Sequence, residues 1–192
     1  MNAMRWMAAS RLWLALLGAA ALLAGCGSMN VASEGGDSNL MLRGNDPVAY
    51  FTVGRPVPGS AAIKAEHRGT TYRFASEANR RMFITSPERF APQFGGFCTN
   101  GMAYSVPIAG ETDNFKIIDG KLYMFGGFRS KLYFEMDQER NMKLANHYWE
   151  TEVKDSNWRL QSWKRLIFRV AHYKTNAELA AEYEKRSGKK PG

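Results

Sequence analysis

The stretch Phe115-Lys116-Ile117-Ile118-Asp119-Gly120-Lys121-Leu122-Tyr123-Met124-Phe125, FKIIDGKLYMF, decides the fold class. Two runs rich in strand formers flank Asp119-Gly120, a dipeptide that supplies the positive backbone angles of a tight hairpin turn. Upstream, residues 63–67 and 71–74 read as a second antiparallel pair joined at Arg68-Gly69-Thr70. Around these pairs the hydrophobic period lengthens. Ser76 is placed to cap a helix reaching about Phe83, and Ser86-Pro87 to start another short turn. After Gly126-Gly127, the residues Leu132, Met136, Met142 or Lys143, Ala145 and Trp149 predict one long amphipathic helix. Residues 157–172 and 175–186 read as further helices, the last with capping-box spacing between Thr175 and Glu178 and with Gly188 as its stop. Ala49-Tyr50-Phe51 reads as a short strand, followed by a proline- and glycine-punctuated loop over 54–59. Short antiparallel hairpins with surrounding helices make an α+β domain.

Ahead of these elements, Arg5 and Arg11 precede an apolar run, 12–24, that ends in Leu23-Ala24-Gly25-Cys26. Basic, apolar and small-residue regions in this order form a secretory signal. The run falls short of the roughly 20 apolar residues of a membrane-spanning helix, so residues 1–25 are expected to be removed. The tetrapeptide LAGC resembles the bacterial lipobox, whose cysteine is acylated on its sulfur and, after cleavage, on its new amino group. Cys26 is therefore the expected lipidation site. Gly27 stands where an aspartate would, by resemblance to enterobacterial lipoproteins, favour inner-membrane retention. The expected location is the outer membrane, facing the periplasm. Residues 26–39, small and polar, read as a lipidated N-terminus and flexible tether.

The net charge is +8, and it falls to +6 once Arg5 and Arg11 leave with the signal. Residues 27–152 balance 14 basic against 14 acidic side chains, whereas 153–192 hold 10 against 4. The excess thus belongs to the tail. Within it Leu160, Trp163, Ile167 and Val170 share one side of a helix, and Arg165 and Arg169 another. Such a helix either packs its apolar side on the domain or adds a second contact to an anionic membrane, and packing is the expectation. No nucleic-acid partner is expected of an exported lipoprotein, because charge alone is not specific.

The segments GNDPVAYF (44–51), YRFASEAN (72–79), FITSPERF (83–90) and FGGFC (94–98) occur in this order. Together with IDGKLY (118–123) and Asn157-Trp158, they resemble the exported, single-domain branch of the YHS-domain family. The resemblance covers residues 40–158 and leaves 159–192 as a basic helical extension. Metal-binding members of that family carry three thiols in their motifs. This chain has Ala49, Ala75 and Asn79 at the matching positions, so the family's metal function is not implied at those places.

What remains is Cys98. With Cys26 lipidated, it is an odd thiol in an oxidising compartment. Three readings follow. A buried cysteine behaves as a small hydrophobe. A thiol at a helix start gains thiolate character and serves as a redox partner through mixed disulfides. A thiolate with Met102 one turn later suits a soft, copper-like ion, with His67 or Met124 completing the ligands. Asp46 and Tyr50, with His67, are candidates to line a pocket, although Asp46 beside Pro47 also suits a turn. The glycines at 95, 96 and 101 lack the Lys-Ser/Thr of a phosphate loop, and no nucleophile, base and orienter stand at catalytic spacing. The expected role is non-catalytic binding of a soft metal or small ligand near Cys98, against the alternatives of a redox partner or a structural lipoprotein.

Overall fold

The computed structural model describes residues 30–192, and Cys26 lies outside the described residues. The protein is α+β. A mixed sheet, in spatial order β1-β2-β4-β3, is built from β1 (Val31–Glu34), β2 (Asp37–Met41), β3 (Ser60–His67) and β4 (Thr70–Phe74). Its two antiparallel hairpins meet through one parallel contact, Leu40 opposite Thr71. A separate hairpin joins β5 (Glu111–Ile118) to β6 (Lys121–Phe125). Both expected tight turns form with two left-handed residues, Arg68-Gly69 at φ 51° and 71° and Asp119-Gly120 at 49° and 71°.

The segment expected as a tether instead pairs as β1 and β2 from residue 31 onward. Gly35 and Gly36, at φ 57° and 87°, turn the chain there. The Arg73 side chain then donates to the carbonyls of Glu34 and Gly35 and to the Asp37 carboxylate. Lys64 joins the same carboxylate, and these contacts hold Asp37 below its ordinary pKa.

The expected strand at 49–51 is a single helical turn, α1 (Ala49–Thr52). Asp46 decides the difference. Its Oδ1 accepts from the Val48 amide at 2.8 Å, and its Oδ2 accepts from Ala75 N at 2.8 Å and Asn79 Nδ2 at 2.6 Å. An aspartate bonding the amide two residues on commits the chain to a turn. The Ser76 cap forms as expected, accepting from Asn79 N, and α2 (Glu77–Thr85) and α3 (Pro87–Phe90) follow.

Strand β6 lies between two apolar cores. Alternation along the strand sends Leu122 and Met124 into one, with Tyr50, Tyr72, Phe74 and Phe83, and Tyr123 and Phe125 into the other, with Phe97, Met102 and Phe134. The expected long helix is broken into α5 (Phe128–Glu135) and α6 (Gln138–Tyr148), which continues into a wider turn over Trp149–Val153. The break falls at Asp137, whose angles of −152° and 66° are not helical, and Asn141 Nδ2 donates to the freed Phe134 carbonyl at 3.0 Å.

The tail departs furthest from expectation. Helix α7 (Trp158–Ile167) starts under the Asn157 cap but buries its polar side. Gln161 is 5% exposed, whereas Leu160, Trp163, Leu166 and Ile167 are 52–67% exposed. Of the side expected to pack, only Val170 is buried. Glu152 sets this rotation, accepting from Gln161 Nε2 and Lys164 Nζ at 3.0 Å and from Arg165, while Gln161 also donates to Ser105 Oγ at 2.6 Å. Burial pushes the Glu152 carboxyl up, but the bonds from Gln161 and Lys164 and the charges of Arg165 and Lys164 outweigh it and leave the pKa at about 2. Helix α8 (Asn176–Ser187) has the expected capping box and ends at Gly188, φ 68°.

Candidate functional site

Phe94, Gly95 and Gly96 take successive left-handed angles of φ 53°, 59° and 77°, which wheel the chain before Cys98. A phenylalanine accepts that strain because its ring is packed in the second core against Tyr123 and Trp149. Cys98 then caps α4 (Thr99–Met102), its sulfur accepting from Gly101 N at 3.4 Å. Its amide donates to Ile108 O at 2.9 Å, and it bridges Met124 of β6. The thiol has no solvent exposure, and its Sγ lies 3.0 Å from Ser130 Oγ.

Ser130 belongs to the first turn of α5, which Gly126-Gly127 precedes. Gly127, at φ 125°, takes the cap position without a side chain to offer, so no side chain satisfies the first amides of that helix. A Cβ on Gly126 would stand 3.5 Å from the Cys98 sulfur. This uncapped start opens on a cavity of about 900 Å³ between the domain and the C-terminal helices. Its wall carries Arg129, Arg165, Arg169 and Lys174, no Asp or Glu side chain, and Gly192, with Ile108, Phe128 and Leu166 as apolar surface. Arg165 and Lys174 are held from outside the wall by Glu152 and Glu182. Arg129 Nε donates to the Gly192 carbonyl at 2.8 Å, and Arg169 lies 4.5 Å over the Tyr173 ring. Unmet amides and guanidinium groups beside apolar surface suit an anion with an apolar body.

The other expected residues do not join this cavity. Asp46 is fully buried among its three donors. Tyr50 is a core residue, its hydroxyl donating to Thr112 O at 3.1 Å and its ring edge-on to Phe115, and burial raises its phenol pKa. His67 sits at the end of β3, its Nε2 3.0 Å from Glu88 Oε1 without hydrogen-bond alignment, its ring edge-on to Phe83. Met102 follows Cys98 by one turn, with its amide donating to Cys98 O, but is buried in the second core, and Met124 in the first. The set Cys98, Met102 and His67 is therefore not assembled. Among the described residues, no three His, Cys, Asp or Glu side chains are grouped to hold a metal ion. These residues do not fit the copper-like ion considered from the sequence.

Sequence reasoning missed Gly127, Ser130 and the cationic wall. The available signal was Gly126-Gly127 ahead of a helix with no capping side chain. Comparison of the chain with protein-family models, curated proteins and solved structures finds no match.

Proposed function

We propose that this is a non-catalytic binding protein of the bacterial cell envelope. It is acylated at Cys26, faces the periplasm from the outer membrane, and holds a small anionic ligand in the cavity beside Cys98. The cavity carries the reading: about 900 Å³, four cations and no Asp or Glu side chain in its wall, and an uncapped helix start at Gly127. Cys98 acts here as a buried support for Ser130 rather than as a metal ligand.

The YHS-like assignment of residues 40–158 gains support from one convergence. Of positions 49, 75 and 79, where the resemblance implies thiols, Ala75 through its amide and Asn79 through its side chain bond to the Asp46 carboxylate, and Ala49 through its amide to the Asp46 backbone carbonyl. The Asp46 carboxylate thus joins two of the three places.

The binding test is titration with anilinonaphthalene sulfonate, an apolar anion, of the chain from Gly27 onward. One saturable site, weakened by Arg129→Gln and Arg169→Gln and blocked by Ala177→Trp, is the expected result. Binding indifferent to all three removes the cavity from the function. Labelled palmitate on Cys26, lost in Cys26→Ser, tests the anchor.

A further inference from the structure

Helix α7 is inside out for a helix in water. Its inward side is Gln161 and Arg165 on the Glu152 carboxylate, and its outward stripe is Leu160, Trp163, Leu166 and Ile167, extended by Phe168. Trp163, Leu166, Ile167 and Phe168 are each more than 60% exposed, which is more contiguous apolar surface than solvent-facing helices ordinarily carry. Residues 158–170 contain Arg159, Lys164, Arg165 and Arg169 and no Asp or Glu. Glu152 answers Lys164 and Arg165, while Arg159 stacks on Trp158 and Arg169 stacks on Tyr173 within electrostatic reach of Glu178.

We infer that this face docks on an anionic phospholipid surface, with Trp163 at the centre of the inserted stripe and Arg159 at the headgroups. Apolar side chains with a central tryptophan and a flanking arginine match the boundary between acyl chains and headgroups. A second copy of the chain is the poorer occupant. Pairing this face with itself would bring arginines together with no carboxylate on either segment to answer them.

The position of Asn30 fits the same surface. Its side chain donates to Gly110 O at 3.1 Å, two residues from Ile108, which shares the cavity wall with Leu166 of α7. Asn30 stands four positions after Cys26, a reach of about 14 Å at most. A lipid on Cys26 would therefore keep this side of the molecule at the bilayer. That last step rests on the proposed anchor, but the chemistry of the α7 face does not, and the test omits the lipid.

The experiment is flotation of the chain from Gly27 onward, which contains every described element, with vesicles of phosphatidylcholine alone or mixed with phosphatidylglycerol. The expected result is binding to the mixed vesicles only. Trp163→Glu should weaken it roughly tenfold or more, and Arg159→Gln roughly fivefold, as one headgroup charge contact is worth about 1 kcal/mol. Both substitutions are on exposed side chains and leave the circular dichroism spectrum unchanged. Equal binding by wild type and Trp163→Glu overturns the inference. So does a failure of the wild type to bind mixed vesicles, including the case where sedimentation shows a dimer that Trp163→Glu dissolves.

Discussion

Replacing Asp46 by asparagine isolates what a single buried carboxylate contributes to this fold. The side chain keeps its shape and has no solvent exposure, so no cavity opens and no surface changes. Aspartate presents two oxygens to three donors, Val48 N, Ala75 N and Asn79 Nδ2. Asparagine keeps one. If its oxygen faces Ala75 and Asn79, its NH₂ meets the Val48 N–H donor to donor, and the reverse flip leaves two donors unmet. Each hydrogen bond to a charged group is worth about 1.5–3 kcal/mol, and a stranded buried donor costs about 1–3 kcal/mol. One bond lost outright, one donor stranded and two bonds weakened sum to about 4 kcal/mol, allowing for partial relaxation. In a chain of this size that lowers Tm by roughly 10 °C. It also moves the urea midpoint down by about 2 M at an unchanged slope of about 2 kcal/mol/M. Tryptophan fluorescence during urea unfolding gives both numbers. A loss below about 1 kcal/mol would refute the view that Asp46 holds α1, β4 and α2 together.

Glu152, whose carboxyl titrates at about 2 against an ordinary 4.5, stabilises the α7 junction above the ordinary value and loses that contribution as pH falls towards about 2. Stability of wild type over Glu152→Gln, followed by fluorescence, should therefore be largest above about pH 5 and shrink on acidification; a gap independent of pH contradicts this. Gly110→Ala places a Cβ 2.5 Å from Gly96 O and 2.6 Å from Met124 Cβ, so thermal unfolding should show a loss of about 2 kcal/mol or more. Gly120→Ala meets nothing within 4 Å and is strained only by its φ of 71°, for a loss of about 1 kcal/mol in the same assay. Cys98, with no exposed surface, should react with iodoacetamide only as fast as the protein opens, and rapid labelling of the native chain would contradict its burial.

Those parts of the fold that depend on local chemistry were legible in the sequence. Asp119-Gly120 and Arg68-Gly69 specify their turns through two backbone angles, and Ser76 and Thr175 specify helix starts through one side-chain bond each. What failed depended on distant partners. Ala49-Tyr50-Phe51 has strand-like residues, yet the Asp46 carboxylate, fixed by Ala75 and Asn79 about thirty residues on, makes it helical. The rotation of α7 could not be read from its own hydrophobic pattern, because a carboxylate on the preceding turn outweighs that pattern. The candidate site divides the same way. Cys98 at the start of a short helix follows from its neighbours, whereas the cavity depends on how α5, α7 and α8 meet.

Asn30 also fixes where a mechanical load enters the molecule. Its amide donates to Gly95 O at 2.7 Å and its side chain to Gly96 O and Gly110 O, at the open end of the β1–β2 hairpin, opposite the Gly35-Gly36 turn. Tension from the N-terminal side therefore first strains these three bonds and then peels β1 from β2 rung by rung, the weak direction for a hairpin. Because two of the three bonds loaded first end on Gly95 and Gly96, a pull on the chain is felt two residues from Cys98.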